Sequence, residues 1–163
     1  MQIITNSAQE TKILAARIAK NVPWGTVIRL EGRLGSGKTT FTQGFAKALG
    51  VTRAVKSPTY TIVKEYPLSQ GYKLVHIDAY RLENLGGDSI DLASFLTADA
   101  LVLVEWAEFI EDDLPKDYLI IRIDVMDQSR RAIDIDIPLL DSKYSELIIQ
   151  MRKELVMEDF DEE

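Results

Sequence analysis

The chain has 163 residues, 46% hydrophobic and 28% charged, with a formal net charge of −7. Those totals describe a globular domain with a real core, and an acidic whole expected to bind nucleic acid poorly on its own unless it carries a local basic patch. The absence of cysteine excludes disulfides, thiolate catalysis and zinc–cysteine centres.

No apolar run approaches the ~20 residues that span a bilayer. The N-terminus lacks a charged-then-apolar signal pattern, so a cytoplasmic setting is the expectation. Ser7 and Glu10 have the form of a capping box. Ile13, Leu14, Ile18 and the alanines between them recur at helical spacing, which predicts a helix over 8–20. Pro23-Trp24-Gly25 breaks it. TVIRLEG follows as a short β-branched strand, and 38–49 reads as a helix with Gly50 at its C-terminal end.

YTIVKEYPL and YKLVHIDAY read as an antiparallel strand pair joined across SQG. ALVLVEW is a continuous apolar run suited to a strand buried on both faces of a parallel sheet. DYLIIRIDVM and RRAIDIDIP alternate with period two around DQS and predict a hairpin. A closing helix is expected over 142–156. The expected organisation is a single domain over 1–157 and an acidic tail over 158–163.

The stretch EGRLGSGKTTF has the spacing of a phosphate-binding P-loop: Gly32, then Gly37-Lys38-Thr39 after four intervening residues. Strand before and helix after give it the context that the motif requires. Gly35 and Gly37 let the backbone turn its N–H groups around phosphate oxygens, with Ser36 between them. The helix starting near Lys38 aims its positive end at the same anion. Lys38 can reach the β- and γ-phosphates, and the Thr39 hydroxyl can ligate Mg2+. Thr40 either joins the phosphate contacts or is helix surface.

Such a site needs an acidic residue at the end of a buried strand to serve Mg2+ and another group to position the attacking oxygen. LVHID ends at Asp78 and LVLVE at Glu105. Both belong where an open α/β sheet binds its ligand, beyond the carboxyl ends of its strands. A charge directly after buried apolar residues is costly unless paired or metal-bound, which favours Glu105. The ordinary alternative for each acid is a solvated strand end. His76, the only histidine, shares a strand face with Asp78 and reads as a packed structural residue.

Arg81 could meet phosphate or pair with Glu83. VKSPTYT supplies Lys56, Ser57, Pro58 and Thr59 where small GTPases carry a γ-phosphate-sensing switch; the alternative is an ordinary loop. No Asn-Lys-x-Asp motif is present, which favours ATP over GTP. Trp24 and Trp106 read as packing groups, although Trp106 directly follows Glu105.

LEGRLGSGKTTFTQGFAKALG, VKSPTYTIVKEY, HIDAYRLE and LVEWAE, in this order, resemble the TsaE (YjeE) family, the bacterial ATPases of tRNA threonylcarbamoyladenosine (t6A) synthesis. The resemblance runs from about Thr11 to about Arg131. It implies a P-loop NTPase-like, three-layer α/β domain with a mixed, mainly parallel central sheet plus antiparallel strands. Gly35 to Thr40 would wrap the phosphates of ATP, and Thr39 and Glu105 would hold Mg2+. Asp78 would serve hydrolysis, and Ser57-Pro58-Thr59 would be switch-like. Thr11 and Arg130 would lie near the adenosine.

The implied partners are the TsaD and TsaB proteins, whose transferase complex the subunit would reset by hydrolysing ATP, with tRNA gripped through the complex rather than alone. Arg33, Ser36 and the segment LENLGGDSIDLASFL depart from the family's usual residues. The rival readings are a small-molecule kinase using the same loop, and a nucleotide-dependent adaptor whose binding matters more than its hydrolysis. Against the kinase, only Arg130-Arg131 approaches an arginine-rich lid.

Overall fold

The computed structural model describes residues 1–158. It has one sheet of seven strands: β1 (Gln2–Thr5), β2 (Val27–Glu31), β3 (Val63–Pro67), β4 (Lys73–Asp78), β5 (Ala100–Glu105), β6 (Leu119–Val125) and β7 (Arg131–Asp136). Their order is β1-β7-β6-β2-β5-β4-β3. The central strands β6, β2, β5 and β4 are parallel, and β3, β7 and β1 add antiparallel edges. This is the mixed, mainly parallel sheet expected from sequence. Both expected antiparallel pairs form, β3 with β4 and β6 with β7.

Three helices complete the framework: α1 (Ala8–Asn21), α2 (Lys38–Ala48) and α3 (Ser145–Glu158). Ser7 caps α1 by accepting from the Glu10 N–H at 3.1 Å. The reciprocal half of the box is displaced by one residue, because Glu10 accepts from the Asn6 N–H at 2.7 Å. Leu14, Ala15, Ile18 and Ala19 of α1 face the core, whereas Ile13 turns outward and is 44% exposed. Gly50 ends α2 in the left-handed region at φ +96°. The start of α3 is delayed to Ser145 because Ser142 and the Lys143 N–H are drawn to Asp117.

The helices cover one face of the sheet. Ile18, Phe41, Phe45, Ile148 and Met151 pack there on Ile28, Leu30, Leu74, Leu101, Leu103, Ile121 and Ile133. The opposite face, with Val75, Ile77, Val102 and Val104, is covered by Ala79, Leu82, Leu92, Ala107 and Ile110. That third layer consists of short 3-10 turns over 79–82, 87–90, 92–94 and 107–113 rather than α-helix. β5 is buried along its whole length between the two layers, as its apolar run demands.

Strand β1 has no counterpart in the sequence reading. It adds to β7 at the sheet edge, with Ile3 opposite Ile133. From residue 159 onward the expected acidic tail lies outside the described residues. Among the described residues no helix is long and apolar enough to cross a membrane.

Candidate active site

The loop between β2 and α2 is shaped by its glycines. Gly35 and Gly37 have φ of +78° and +112°, a region that costs other residues strain. At Gly32 a Cβ would overlap the Ser36 hydroxyl and approach the Ile123 carbonyl to 2.8 Å, so only glycine fits. Gly37 is the N-cap of α2 and supplies no side-chain cap. The first-turn N–H groups therefore have no side chain of the cap to bond, as a helix-terminal anion site requires.

The Lys38 ammonium donates to the carbonyls of Gly32 and, at 3.2 Å, Arg33. Ser36 is buried with its hydroxyl unpartnered. Its carbonyl accepts from Arg131 Nε at 2.7 Å, which ties the loop to the start of β7.

The two acids come from adjacent parallel strands. Asp78 and Glu105 are register neighbours at the C-terminal ends of β4 and β5, and each is 4% exposed. Asp78 accepts from Thr59 Oγ1 at 3.0 Å and from the Tyr80 N–H at 3.0 Å. Thr59 in turn bonds the Ser57 hydroxyl at 2.8 Å. The Ser57–Thr59 segment is therefore latched to Asp78 by side-chain hydroxyls.

Pro58 is buried between them, and its carbonyl accepts from Thr61 and Ile62. The chain leaves this segment through Ile62 at φ +66°, and it leaves Glu105 through Trp106 at φ +56°. For these side chains the left-handed region is strained, and both residues adjoin the elements that carry the site.

A cavity of about 720 Å3 brings Gly35, Gly37, Lys38, Thr39, Thr40, Ser57, Thr59, Asp78 and Glu105 together. Leu34, Tyr80 and Trp106 also line it. Tyr80 and Trp106 meet edge to face at 5.1 Å between ring centroids, and Phe109 stacks on Trp106 at 5.8 Å. Trp106 is foreseeable from its place directly after Glu105, and the sequence signal for Tyr80 is its place two residues after Asp78.

A second recess, about 280 Å3, holds Ser7, Thr11, Gly37, Thr40 and Arg131. Thr11 is buried there with its hydroxyl on that of Thr5 at 2.8 Å. Arg130 lies in the β6–β7 turn and pairs with Asp127 at 2.6 Å. Its neighbour Arg131 is the arginine that reaches the loop. The Arg81 guanidinium lies over the Tyr60 ring at 4.9 Å.

His76 is fully buried, as a packed residue should be, but neither of its ring nitrogens has a hydrogen-bond partner. Its Nε2 stands 3.7 Å from Glu105 Oε2.

Among the described residues no group of three or more His, Cys, Asp or Glu could hold a metal alone. Mg2+ is a cation that protein commonly binds through one or two side chains, leaving the remaining positions to phosphate and water. Thr39 and Glu105, both lining the larger cavity, make such a donor set. The backbone cradle, the lysine and the paired acids fit a Mg2+–nucleoside triphosphate.

Comparison with known proteins gives the family and the fold. The family described as "Threonylcarbamoyl adenosine biosynthesis protein TsaE" matches residues 5–133. A Bacillus subtilis relative, "tRNA threonylcarbamoyladenosine biosynthesis protein TsaE", is 45% identical over 79% of this chain and 80% of its own. A protein of the same description from Aquifex aeolicus is 40% identical over 82% of this chain and 94% of its own.

The crystal structure of Bacillus subtilis YdiB superposes with a TM-score of 0.77 at 35% identity, covering 94% of this chain and 95% of that one. The fold is a P-loop fold, and the chain belongs to the TsaE family.

Proposed function

We propose that this chain is the ATP-binding and ATP-hydrolysing subunit of tRNA t6A modification, with residues 1–157 as its single domain, acting on a TsaD–TsaB transferase complex to sustain turnover. The observation that carries the proposal is the convergence of the P-loop, the Ser57–Thr59–Asp78 chain and Glu105 on one cavity. The relatives' printed names supply the pathway.

The chemistry follows from what each residue can do. The N–H groups of Gly35 to Thr40 surround the phosphates, and Lys38 exchanges its loop carbonyls for phosphate oxygens. Thr39 and Glu105 would hold Mg2+, which would supply charge neutralisation for the bound phosphates. Asp78 orients the attacking water once its carboxylate is released from Thr59. The latch makes that release a control point: a partner that rearranges residues 57–59 frees the acid. Leu34, Tyr80 and Trp106 also line the cavity but are themselves exposed, Leu34 at 99%, so they do not exclude water from it unaided.

The test is threonylcarbamoyl transfer to tRNA over many turnovers. Threonylcarbamoyl-adenylate, TsaD and TsaB are supplied with this chain, without it, or with Lys38→Ala. Sustained turnover with wild type alone is the expected result. Equal behaviour of all three mixtures would defeat the proposal and return attention to small hydroxyl compounds as phosphate acceptors.

A further inference from the structure

The face of β4 and β5 that looks toward the helices carries a graded column. Leu74, His76 and Asp78 alternate along β4, and Leu101, Leu103 and Glu105 along β5, with His76 opposite Leu103 and Asp78 opposite Glu105. The lower tier, Leu74 with Leu101, is part of the helix-side core, as is Leu103 beside His76. The upper tier is the acid pair of the site. His76 fills the tier between them.

A histidine that served only to fill space would be an unfavourable choice there. It is 0% exposed, and neither Nδ1 nor Nε2 has a hydrogen-bond partner. An unsatisfied buried polar group costs stability, and an apolar side chain of similar size would remove that cost. The feature that distinguishes this position is Glu105, whose Oε2 lies 3.7 Å from His76 Nε2. That separation is slightly too long for a hydrogen bond and within reach of one by a small side-chain rotation.

We propose that His76 is a positioning residue for Glu105. A small rotation brings its Nε2–H onto one carboxylate oxygen, and the carboxylate is then presented to the cavity that Thr39 also lines. Metal-ligating carboxylates are commonly braced by such a donor, and loss of a brace typically lowers metal affinity or activity by about 10–100-fold. The inference rests on the assignment of Glu105 as a Mg2+ ligand, and the experiment separates the two.

Mn2+ is the probe, titrated into the full chain with a non-hydrolysable ATP analogue, with free Mn2+ read by electron paramagnetic resonance. His76→Leu should weaken Mn2+ binding by about 10–100-fold. Its melting temperature should stay close to that of wild type, since the buried Nδ1, which has no partner, is removed along with the Nε2–H brace. Binding of the metal-free nucleotide should not change. His76→Gln, whose amide N–H can reach the same oxygen, should recover most of the loss.

In a Glu105→Gln background, His76→Leu should cause no further loss. Wild-type Mn2+ affinity in His76→Leu, with Glu105→Gln impaired, would overturn the His76 proposal alone. Unchanged affinity in Glu105→Gln would overturn the metal assignment and this proposal with it. Should His76→Leu not fold, His76→Met, which is unbranched and adapts to its cavity, carries the same comparison.

Discussion

At the scale of single residues, the role proposed for Asp78 can be tested by separating binding from hydrolysis. Its carboxylate already serves two structural bonds, to Thr59 and to the Tyr80 N–H. Asp78→Ala would remove both acceptors and loosen the 57–59 segment, confounding structure with chemistry. Asp78→Asn keeps an acceptor for Tyr80 and another polar group for Thr59 while deleting the charge that orients water. We expect Asp78→Asn to bind ATP as wild type does in calorimetry and to lose about 10²-fold or more in phosphate release. Loss of binding in step with hydrolysis would show that Asp78 only builds the pocket. Gly32→Ala probes the cradle itself. The added Cβ meets Ser36 and the Ile123 carbonyl, and the backbone at 2.8 Å cannot yield without moving β6. The variant should lose about 1–3 kcal/mol in urea unfolding, together with nucleotide binding. The position of Gly32 was legible from the spacing of the P-loop motif, and that of Asp78 from an acid closing an apolar strand. Arg131 was not, because one residue of register in a turn decides which of two arginines faces the loop. The Arg130 N–H and guanidinium are both taken by Asp127.

At the scale of elements, periodicity decided what could be read. α1, α2 and the β6–β7 hairpin carry regular spacing and were readable. β1 has four residues and takes its stability from pairing with β7 rather than from any pattern of its own. The 3-10 turns over 79–113 have no apolar period, so the second cover of the sheet was invisible as structure even though its leucines were in plain view. The α1–α2 contact is also element-scale. At Gly44 of α2 a Cβ would stand 2.5 Å from both the Cα and the carbonyl oxygen of Lys12. Alanine normally favours a helix over glycine by about 1 kcal/mol, but here it meets rigid backbone. Gly44→Ala should therefore be net destabilising, by about 1–3 kcal/mol in urea titration. The β6–β7 turn gives a pH-dependent case. Asp127 is held well below the usual carboxylate range by the Arg130 N–H first, then the Arg130 guanidinium and the Ser129 N–H. A depressed folded-state value stabilises above the unfolded value of about 3.9, and that contribution disappears as pH falls below it. Asp127→Ala should therefore lower the melting temperature at pH 7, and the difference from wild type should shrink progressively below about pH 4.

At the scale of the whole molecule, charge and the latch together argue for a subunit that works through others. A net charge of −7 leaves the chain a poor ligand for tRNA by itself. Asp78, the acid proposed to serve hydrolysis, is tied to Thr59 in the isolated structure. P-loop catalysis is mainly positioning and charge stabilisation, and a missing or misplaced group costs about 10³–10⁵ in rate. The isolated chain should accordingly hydrolyse ATP slowly, and the TsaD and TsaB proteins should raise the rate at least about 10-fold on the same reasoning. Phosphate release at saturating ATP, with and without those proteins, checks this. Asp78→Asn should show no rise although it still joins the complex. A pure adaptor would behave differently: the variant would support tRNA modification as long as it bound ATP and its partners. Rapid turnover by the isolated chain would remove the control point, because Asp78 would then be competent with Thr59 still bonded to it.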